Sequence, residues 1–227
     1  MIGRTPYTLH VAGHVQAALA LLPLEDQIAD WGRALAELFE RGGRLLVAGN
    51  GGSAAQAQHL TGELVGRFQS ERRPLPAIAL HADTSTLTAI ANDYGWDQAY
   101  ARAVAGLGRP GDVVLTLSTS GRSRNLLHAA EAARVAGMRA WALTGPAPNP
   151  LVGLAEDSIA ISAGTAIVQE AHLLVVHLLC TAIDTQLTPA PALSPAAPAT
   201  AKRRARTEDR QPVGAAALDR REGKPWR

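Results

Sequence analysis

The hydrophobic positions of this chain follow two kinds of pattern. From about residue 10 to residue 41 they recur at three- and four-residue steps, which predicts two amphipathic helices divided near Pro23. Five later segments are short, continuous apolar runs, typical of strands that are buried on both faces. The predicted strands are Leu45 to Ala48, Ala77 to Leu80, Val113 to Leu117, Ala140 to Leu143 and Ile159 to Ile161.

Helical patterns lie between the predicted strands. They cover Ser53 to Phe68, Ser85 to Ala91, Asp97 to Ala105 and Arg124 to Ala136, with a short segment after Pro150. Strands that alternate with helices predict right-handed crossovers and a parallel sheet covered on both sides. The predicted fold class is therefore α/β, a three-layer α-β-α sandwich with a five-stranded parallel sheet.

The last predicted helix, Thr165 to Leu187, is apolar nearly all round. Such a helix is usually buried, here against the sheet and between subunits. No uninterrupted apolar run reaches the roughly 18 residues that span a membrane, so no membrane span is expected. From Pro189 onward the chain is rich in Pro, Ala and Arg without periodicity. We therefore predict one domain over residues 1–188 and a disordered basic tail over residues 189–227.

Charge is distributed unevenly between these two parts. The net charge is +2, but the segment from Pro189 onward holds nine Lys and Arg against four Asp and Glu, which leaves −3 on the rest. The isoelectric point near 9.0 thus describes the tail and does not indicate a nucleic-acid-binding fold. The tail could touch a nucleic acid or an acidic partner, although an inert solvated segment is the simpler interpretation. Aromatic residues make up 4%, too few for base-stacking platforms.

Cys180 is the only cysteine, so no internal disulfide is possible and a reducing compartment fits. It lies within an apolar segment, where a buried, inert thiol is expected rather than a nucleophile. The N-terminus lacks the basic, apolar and small-residue regions of a secretion signal. We expect a cytoplasmic protein.

The first candidate for chemistry is a glycine-rich turn after the first predicted strand. The glycine turn, Asn50 to Ser53, follows Gly49 and precedes a helix that Ser53 is expected to cap. Glycines let backbone N–H groups approach an anion, and the helix N-terminus adds partial positive charge. The spacing matches neither the dinucleotide nor the P-loop pattern. A plain strand-to-helix turn, with Ser53 only as the N-cap, remains an alternative.

A second turn follows the third predicted strand. The serine loop, Ser118 to Ser123, carries the hydroxyls of Ser118, Thr119, Ser120 and Ser123 around Gly121. Hydroxyl donors together with free helix N–H groups form a good phosphate site, and ordinary capping explains only one or two of the four. Both turns fall at the carboxyl ends of strands, where parallel sheets bind their ligands.

Titratable residues occur on two predicted helices. His59 and Glu63 are four residues apart and share a helix face, which suits two metal ligands, an acid/base pair or a surface hydrogen-bonded pair. In the last helix Gln169 and His177 lie about 80° apart around the axis and can share one side. His177 is a core histidine or a functional one, and either needs a partner, for which His59 or Glu63 is available. His172 is expected to point elsewhere.

These segments together resemble the SIS (sugar isomerase) family and, within it, the phosphoheptose isomerases. The resemblance covers about residues 10 to 187. It is carried by the glycine turn, the serine loop and four further motifs. Those are Gln58-His59, Glu63-Leu64-Val65-Gly66-Arg67-Phe68, Ala91-Asn92-Asp93-Tyr94-Gly95, and Gln169-Glu170-Ala171-His172 leading to His177.

The resemblance implies a flavodoxin-like SIS domain in a homotetramer with active sites at subunit interfaces. It implies conversion of sedoheptulose 7-phosphate to an aldoheptose phosphate, the first step of nucleotide-activated heptose biosynthesis. Glu63 and His177 would be the acid/base pair, and the serine-loop hydroxyls would hold the phosphate. Further implied substrate contacts are Asn50, Gly51, Gly52, Ser53, Glu63, Arg67, Asn92, Asp93 and Gln169. The positions that bind zinc in some members, one ion per subunit, are His59, Glu63, Gln169 and His177.

Two residues depart from the family pattern. Arg122 stands where these isomerases often have Asn, and it adds positive charge beside the expected phosphate. Ala166 stands where several members have an aspartate, so one substrate contact is missing. Asn92 and Asp93 are expected either to end a helix or to lie in a loop that meets a sugar.

Two rival functions come from other classes. The chain also resembles SIS proteins that act as scaffolds for the replication initiator DnaA, in the segments Leu75 to Leu80 and Leu87 to Asp93. Those scaffolds generally lack the glutamate and the final histidine, whereas Glu63 and His177 are present. A sugar-phosphate sensor without turnover would keep the serine loop and not need Glu63. We therefore expect an enzyme.

Overall fold

The computed structural model describes residues 5–187. The basic tail predicted from Pro189 lies outside these residues and stays a prediction. Eight α-helices occur in the described part: α1 Pro6–Leu19, α2 Glu25–Glu40, α3 Gly52–Val65, α4 Thr84–Tyr94, α5 Ala99–Leu107, α6 Arg124–Val135, α7 Pro150–Leu154 and α8 Thr165–Leu187. The five strands are β1 Leu45–Gly49, β2 Ala77–Ala79, β3 Val113–Ser118, β4 Arg139–Thr144 and β5 Asp157–Ala160.

The five strands form one parallel sheet in the order β2-β1-β3-β4-β5. The predicted α/β class with a five-stranded parallel sheet is confirmed. Strands β1 and β3 are buried along their whole length, which explains why their sequences are continuous apolar runs. The residues of β1 alternate between two cores, with Leu45 and Val47 on one face and Leu46 and Ala48 on the other.

The register of the sheet decides where the two candidate turns lie. Gly49 at the end of β1 is paired with Leu117 near the end of β3. The glycine turn and the serine loop leave these neighbouring strands at the same edge of the sheet. The expectation that both turns lie at carboxyl ends of strands is confirmed, and the order of the strands makes the turns neighbours.

Helix α8 has the bounds that its apolar pattern predicted. By length and composition alone it could cross a membrane, which the sequence analysis did not expect because polar residues interrupt its apolar run. Nine of its residues are buried, and it packs against α1, α2, α3 and β4. This packing is that of a core helix, and it places one side of α8 along α3.

One local expectation is wrong, and one helix is longer than predicted. Helix α3 begins at Gly52, its N-cap position is Gly51, and no side chain caps it, so Ser53 lies inside the first turn rather than at the cap. The helix predicted over Ser85 to Ala91 continues to Tyr94 as α4, so Asn92 and Asp93 lie in its last turn, which is the first of the two alternatives expected for them. Gly95, with φ 84°, occupies the C-cap position and marks the end of α4.

Candidate active site

The glycine turn brings the start of α3 very close to the end of β1. A Cβ on Gly49 would lie 2.5 Å from the backbone of Ser53, so only glycine fits there. Gly51 has φ 55°, a conformation that glycine adopts readily. The Ser53 N–H donates to the Asn50 carbonyl at 3.0 Å, and Ser53 is buried. The turn therefore exposes glycine backbone at the N-terminus of a 14-residue helix.

The side chain of Asn50 is fixed by a partner that the sequence analysis missed. The Nδ2 of Asn50 donates to Oδ1 of Asn125 at 3.0 Å, and the Nδ2 of Asn125 donates to Oδ1 of Asn50 at 2.9 Å. Asn125 lies in the first turn of α6 and is 2% exposed. The only signal in the sequence was an amide two residues after the serine loop.

The serine loop is held by hydrogen bonds of its own. The N–H of Gly121 donates to Oγ of Ser118 at 3.1 Å, and the N–H of Arg122 donates to Oγ of Ser120 at 3.2 Å. Ser123 is the N-cap residue of α6, yet its side chain makes no capping hydrogen bond. Helix capping thus does not account for the Ser123 hydroxyl, which lies 3.5 Å from that of Ser118.

The loop before α7 supports the serine loop from outside. Gly121 has φ 62°, and a Cβ there would clash with the side chain of Asn149. Asn149 donates through Nδ2 to Oγ1 of Thr144 at 3.0 Å, and its Oδ1 accepts from the N–H of Val152 at 3.1 Å. The N–H of Leu151 donates to the Gly121 carbonyl at 3.1 Å. Glycine is therefore required at position 121 by its backbone conformation and by its neighbours.

The histidine cluster, His59, Glu63 and His177, joins α3 to α8. Nε2 of His59 lies 3.0 Å from Nε2 of His177 and 3.3 Å from Oε1 of Glu63. Phe68 stacks on the His177 ring with centroids 5.7 Å apart. The partner that His177 was expected to need is thus present, and the pairing of His59 with Glu63 extends to a third residue.

The cluster also offers metal ligands. One ligand atom from each of the three residues lies within 4.8 Å of the others, and within residues 5–187 no other set of at least three His, Cys, Asp or Glu does so. Two imidazole nitrogens and a carboxylate oxygen suit zinc in a site that keeps a position open for water or substrate. The donor set fits the ion.

Gln169 takes a different place along the same helix. A Cβ on Gly52 would lie 2.6 Å from Nε2 of Gln169, and the side chain of Gln56 donates to the Gln169 carbonyl. Gln169 therefore faces α3, as its spacing from His177 predicted. Its side chain lies at the glycine turn, two helical turns before His177.

Burial affects the titration of three groups around the site. Desolvation lowers the pKa of His172 to about 4, and its Nε2 faces the Thr144 carbonyl at 3.2 Å, so it points away from the cluster as expected. Desolvation raises the pKa of Cys180 to about 12, which agrees with an inert buried thiol. Burial likewise raises the pKa of Tyr100 to about 12, and its hydroxyl donates to the Gly49 carbonyl at 2.5 Å.

Three expected substrate contacts lie outside these groups. Arg67 is exposed after the end of α3, and Asn92 and Asp93 are exposed on α4. Nδ2 of Asn92 donates to Oδ1 of Asp93 at 2.8 Å. Within the described residues no side-chain hydrogen bond or ion pair connects the three to the glycine turn, the serine loop or the histidine cluster.

Known proteins share both the sequence and the fold of this chain. The family model of the SIS domain matches residues 12–145. A phosphoheptose isomerase of Streptomyces coelicolor is 57% identical over 187 residues, which cover 79% of this chain and 81% of that protein. One from Thiobacillus denitrificans is 46% identical over 186 residues, covering 78% and 94%.

A solved structure agrees with these relatives. The phosphoheptose isomerase of Francisella tularensis superposes with a TM-score of 0.72 at 40% identity, covering 79% of this chain and 94% of that one. The SIS match spans more than half of the chain, and the curated relatives are matched over most of their length. The chain therefore belongs to the SIS domain family and, within it, to the phosphoheptose isomerases.

Proposed function

We propose that this protein is a sedoheptulose 7-phosphate isomerase, which produces glycero-manno-heptose 7-phosphate for heptose biosynthesis. The observation that carries the proposal is the meeting of His59, Glu63 and His177 across α3 and α8. A scaffold for DnaA or a sugar-phosphate sensor would not need an acid/base set on the helix that follows the glycine turn. Membership among the phosphoheptose isomerases also favours the enzyme over both rivals.

The two turns bind different parts of the substrate. The phosphate lies at the serine loop, held by the hydroxyls of Ser118, Thr119, Ser120 and Ser123 and by N–H groups at the start of α6. In support, the hydroxyl of Ser123 makes no capping hydrogen bond to α6. The sugar contacts the glycine turn, Asn50 to Ser53, and Gln169, whose side chain lies against Gly52.

The reaction moves a carbonyl group from C2 of the ketose to C1 of the aldose. Glu63 removes a proton from C1 as the base, the electrons form an enediol, and the proton is returned to C2. His177 moves protons between the two oxygens, as an imidazole can do because its ring nitrogens both accept and donate protons. Backbone N–H groups of Gly51 and Gly52 face the negative charge that develops on oxygen.

Zinc is the proposed cofactor, one ion per subunit. His59, Glu63 and His177 would hold it. Gln169, which faces α3 from the same helix as His177, is the proposed fourth ligand, and its side chain would turn from Gly52 toward the cluster to reach the ion. When bound, the ion would supply Lewis-acid stabilisation of the oxygen that gains charge. Because Glu63 has two carboxylate oxygens, it can serve the ion and still act as the base.

The remaining contacts lead to a proposal about assembly. We propose a cytoplasmic homotetramer in which Arg67, Asn92 and Asp93 complete the site at an interface between subunits. In support, α4 contains no buried residue within the described chain, and both side chains at its end are exposed. Helix α1 likewise exposes large apolar residues, which are Tyr7, Leu9, Val11, Val15 and Leu19.

The experiment that tests the function is turnover of sedoheptulose 7-phosphate by the purified full-length protein. Aldose formation is followed with bound metal intact, after chelation, and after zinc is restored. We expect turnover that falls on chelation and returns with zinc, together with zinc in the metal analysis of the untreated protein. A folded tetramer that shows no turnover under any of these conditions would contradict the proposal. Turnover without any bound metal would contradict the zinc assignment alone.

A further inference from the structure

Asn50 and Asn125 form a pair in which each amide holds the other. Two N–H···O bonds of 3.0 and 2.9 Å run in opposite directions between the same two side chains. Because an amide is planar, two bonds to one partner fix its plane as well as its position. The orientation of the Asn50 side chain is thus set by a residue 75 positions later in the chain.

The burial of Asn125 makes this arrangement informative. Asn125 is 2% exposed in the first turn of α6, beside apolar residues such as Leu126. A buried amide must exchange its hydrogen bonds to water for protein partners, and replacing both members of such a pair by apolar groups can be neutral or stabilising. Stability of α6 therefore does not explain why an amide occupies position 125. Its hydrogen bonds to Asn50 give a better reason.

The pair also joins the two turns. Asn50 is the first residue of the glycine turn, and Asn125 follows the serine loop by two residues. One N–H and one oxygen lone pair of Asn50 are used by Asn125, which leaves a second N–H and a second lone pair for a sugar oxygen. The sugar-facing group is thereby set at a fixed distance from the proposed phosphate.

We propose that Asn125 is a positioning residue that orients the Asn50 amide relative to the phosphate of the substrate. The inference rests on the proposed function. Asn125 itself does not contact the sugar. It acts through Asn50, so its contribution disappears when the Asn50 amide is removed.

The test is a double-mutant cycle in the full-length protein with Asn125→Leu, Asn50→Ala and the combination. We expect Asn125→Leu to lower kcat for sedoheptulose 7-phosphate by about tenfold to a hundredfold, the scale of a misplaced site group. The Kd of inorganic phosphate should stay within about twofold of wild type, because the serine loop keeps its own hydrogen bonds. In the Asn50→Ala background, Asn125→Leu should change kcat by less than about twofold.

A control separates positioning from general loss of stability. Thr116→Val removes another buried hydrogen bond, from the Thr116 hydroxyl on β3 to the Trp141 carbonyl at 3.1 Å. It should lower the melting temperature and leave kcat unchanged. If Asn125→Leu also lowered only the melting temperature, or if its effect on kcat persisted in full in the Asn50→Ala background, the inference would be wrong.

The outcomes distinguish the inference from the function on which it rests. A wild-type protein that neither binds nor converts the sugar phosphate overturns both. A wild-type protein that converts it, with an Asn125→Leu variant of equal kcat, overturns only the role of Asn125. A fall in kcat that is absent in the Asn50→Ala background supports the inference.

Discussion

The glycine turn and the serine loop occupy equivalent places in the fold, but the helices behind them differ. Both leave neighbouring strands at the same edge of the sheet, and each contains a glycine with positive φ, Gly51 and Gly121. Helix α3, behind the first turn, carries His59 and Glu63 to the face of α8. Helix α6, behind the second, buries Leu126, Ala129 and Ala133 and holds Asn50 through Asn125.

Similar backbone turns can therefore serve separate tasks. In the first turn, glycine lets the backbone approach the ligand, and the following helix supplies groups that can transfer protons. In the second, four hydroxyls surround the glycine, and the following helix contributes N–H groups at its start and Asn125, which holds Asn50. A substitution behind the first turn should therefore affect kcat, and one in the second turn should affect KM.

The largest effect tests the first half of this comparison. Glu63→Gln removes the proposed base while keeping the shape of the side chain, and we expect kcat to fall by about a thousandfold. The Kd of inorganic phosphate should not change. Glu71→Gln is the matched control, because Glu71 is exposed beyond the end of α3 and should tolerate the same change. An active Glu63→Gln variant would remove Glu63 from the role of base.

The next effect tests the second half. Ser123→Ala deletes a hydroxyl that does not cap α6, so we expect KM for the sugar phosphate to rise about tenfold or more, the loss of one hydrogen bond to a charged group. Thermal unfolding should stay as in the wild type. A lower melting temperature with unchanged KM would instead show that Ser123 stabilises the helix.

A third prediction compares the two glycines directly. Gly51→Ala meets no atom within 4 Å, so it should lower the free energy of unfolding only through the backbone strain of a Cβ at φ 55° and ψ −122°, about 1 to 3 kcal/mol. Gly121→Ala, at φ 62°, adds a clash with Asn149 to its backbone strain, so it should lower stability further and raise KM. Gly111→Ala, at φ 88° with open space around it, measures the strain alone. Equal losses of unfolding free energy at positions 51 and 121 would show that the loop before α7 moves to relieve the clash with Asn149.

The smallest effect concerns Arg122. This exposed residue adds a positive charge beside the proposed phosphate site, where the family often has Asn. Arg122→Asn should raise KM about twofold at low ionic strength, and the difference should shrink as salt screens the charge. A salt-independent change would indicate a direct contact rather than a long-range attraction.

Most of the fold followed from the hydrophobic pattern. Strands buried on both faces give continuous apolar runs, so β1 and β3 were predicted to within one residue, and α8 was bounded correctly because its apolar surface begins and ends with the helix. Helix ends were harder. Ser53 has the preferred chemistry of an N-cap, but α3 begins one residue earlier, at Gly52.

The site could be predicted only in part, for a different physical reason. His59 and Glu63 share a face through local helical spacing, which a sequence reveals. The contact with His177 depends on the packing of α3 beside α8. The sequence indicated that a polar residue on an apolar helix needs a partner and that His59 or Glu63 was available, but not that all three side chains meet. The Asn50–Asn125 pair depends on the order of the strands in the sheet, so the local sequence could not predict that these two side chains meet.

His59 lies in the middle of α3, Glu63 in its last turn and His177 in the middle of α8. The distances from His177 to the other two depend on the packing of α3 against α8, and α8 is packed into the hydrophobic core. Catalytic competence and the integrity of that core are thus lost together. While the subunits stay assembled and zinc stays bound, inactivation on heating should follow the same temperature curve as the far-ultraviolet circular dichroism.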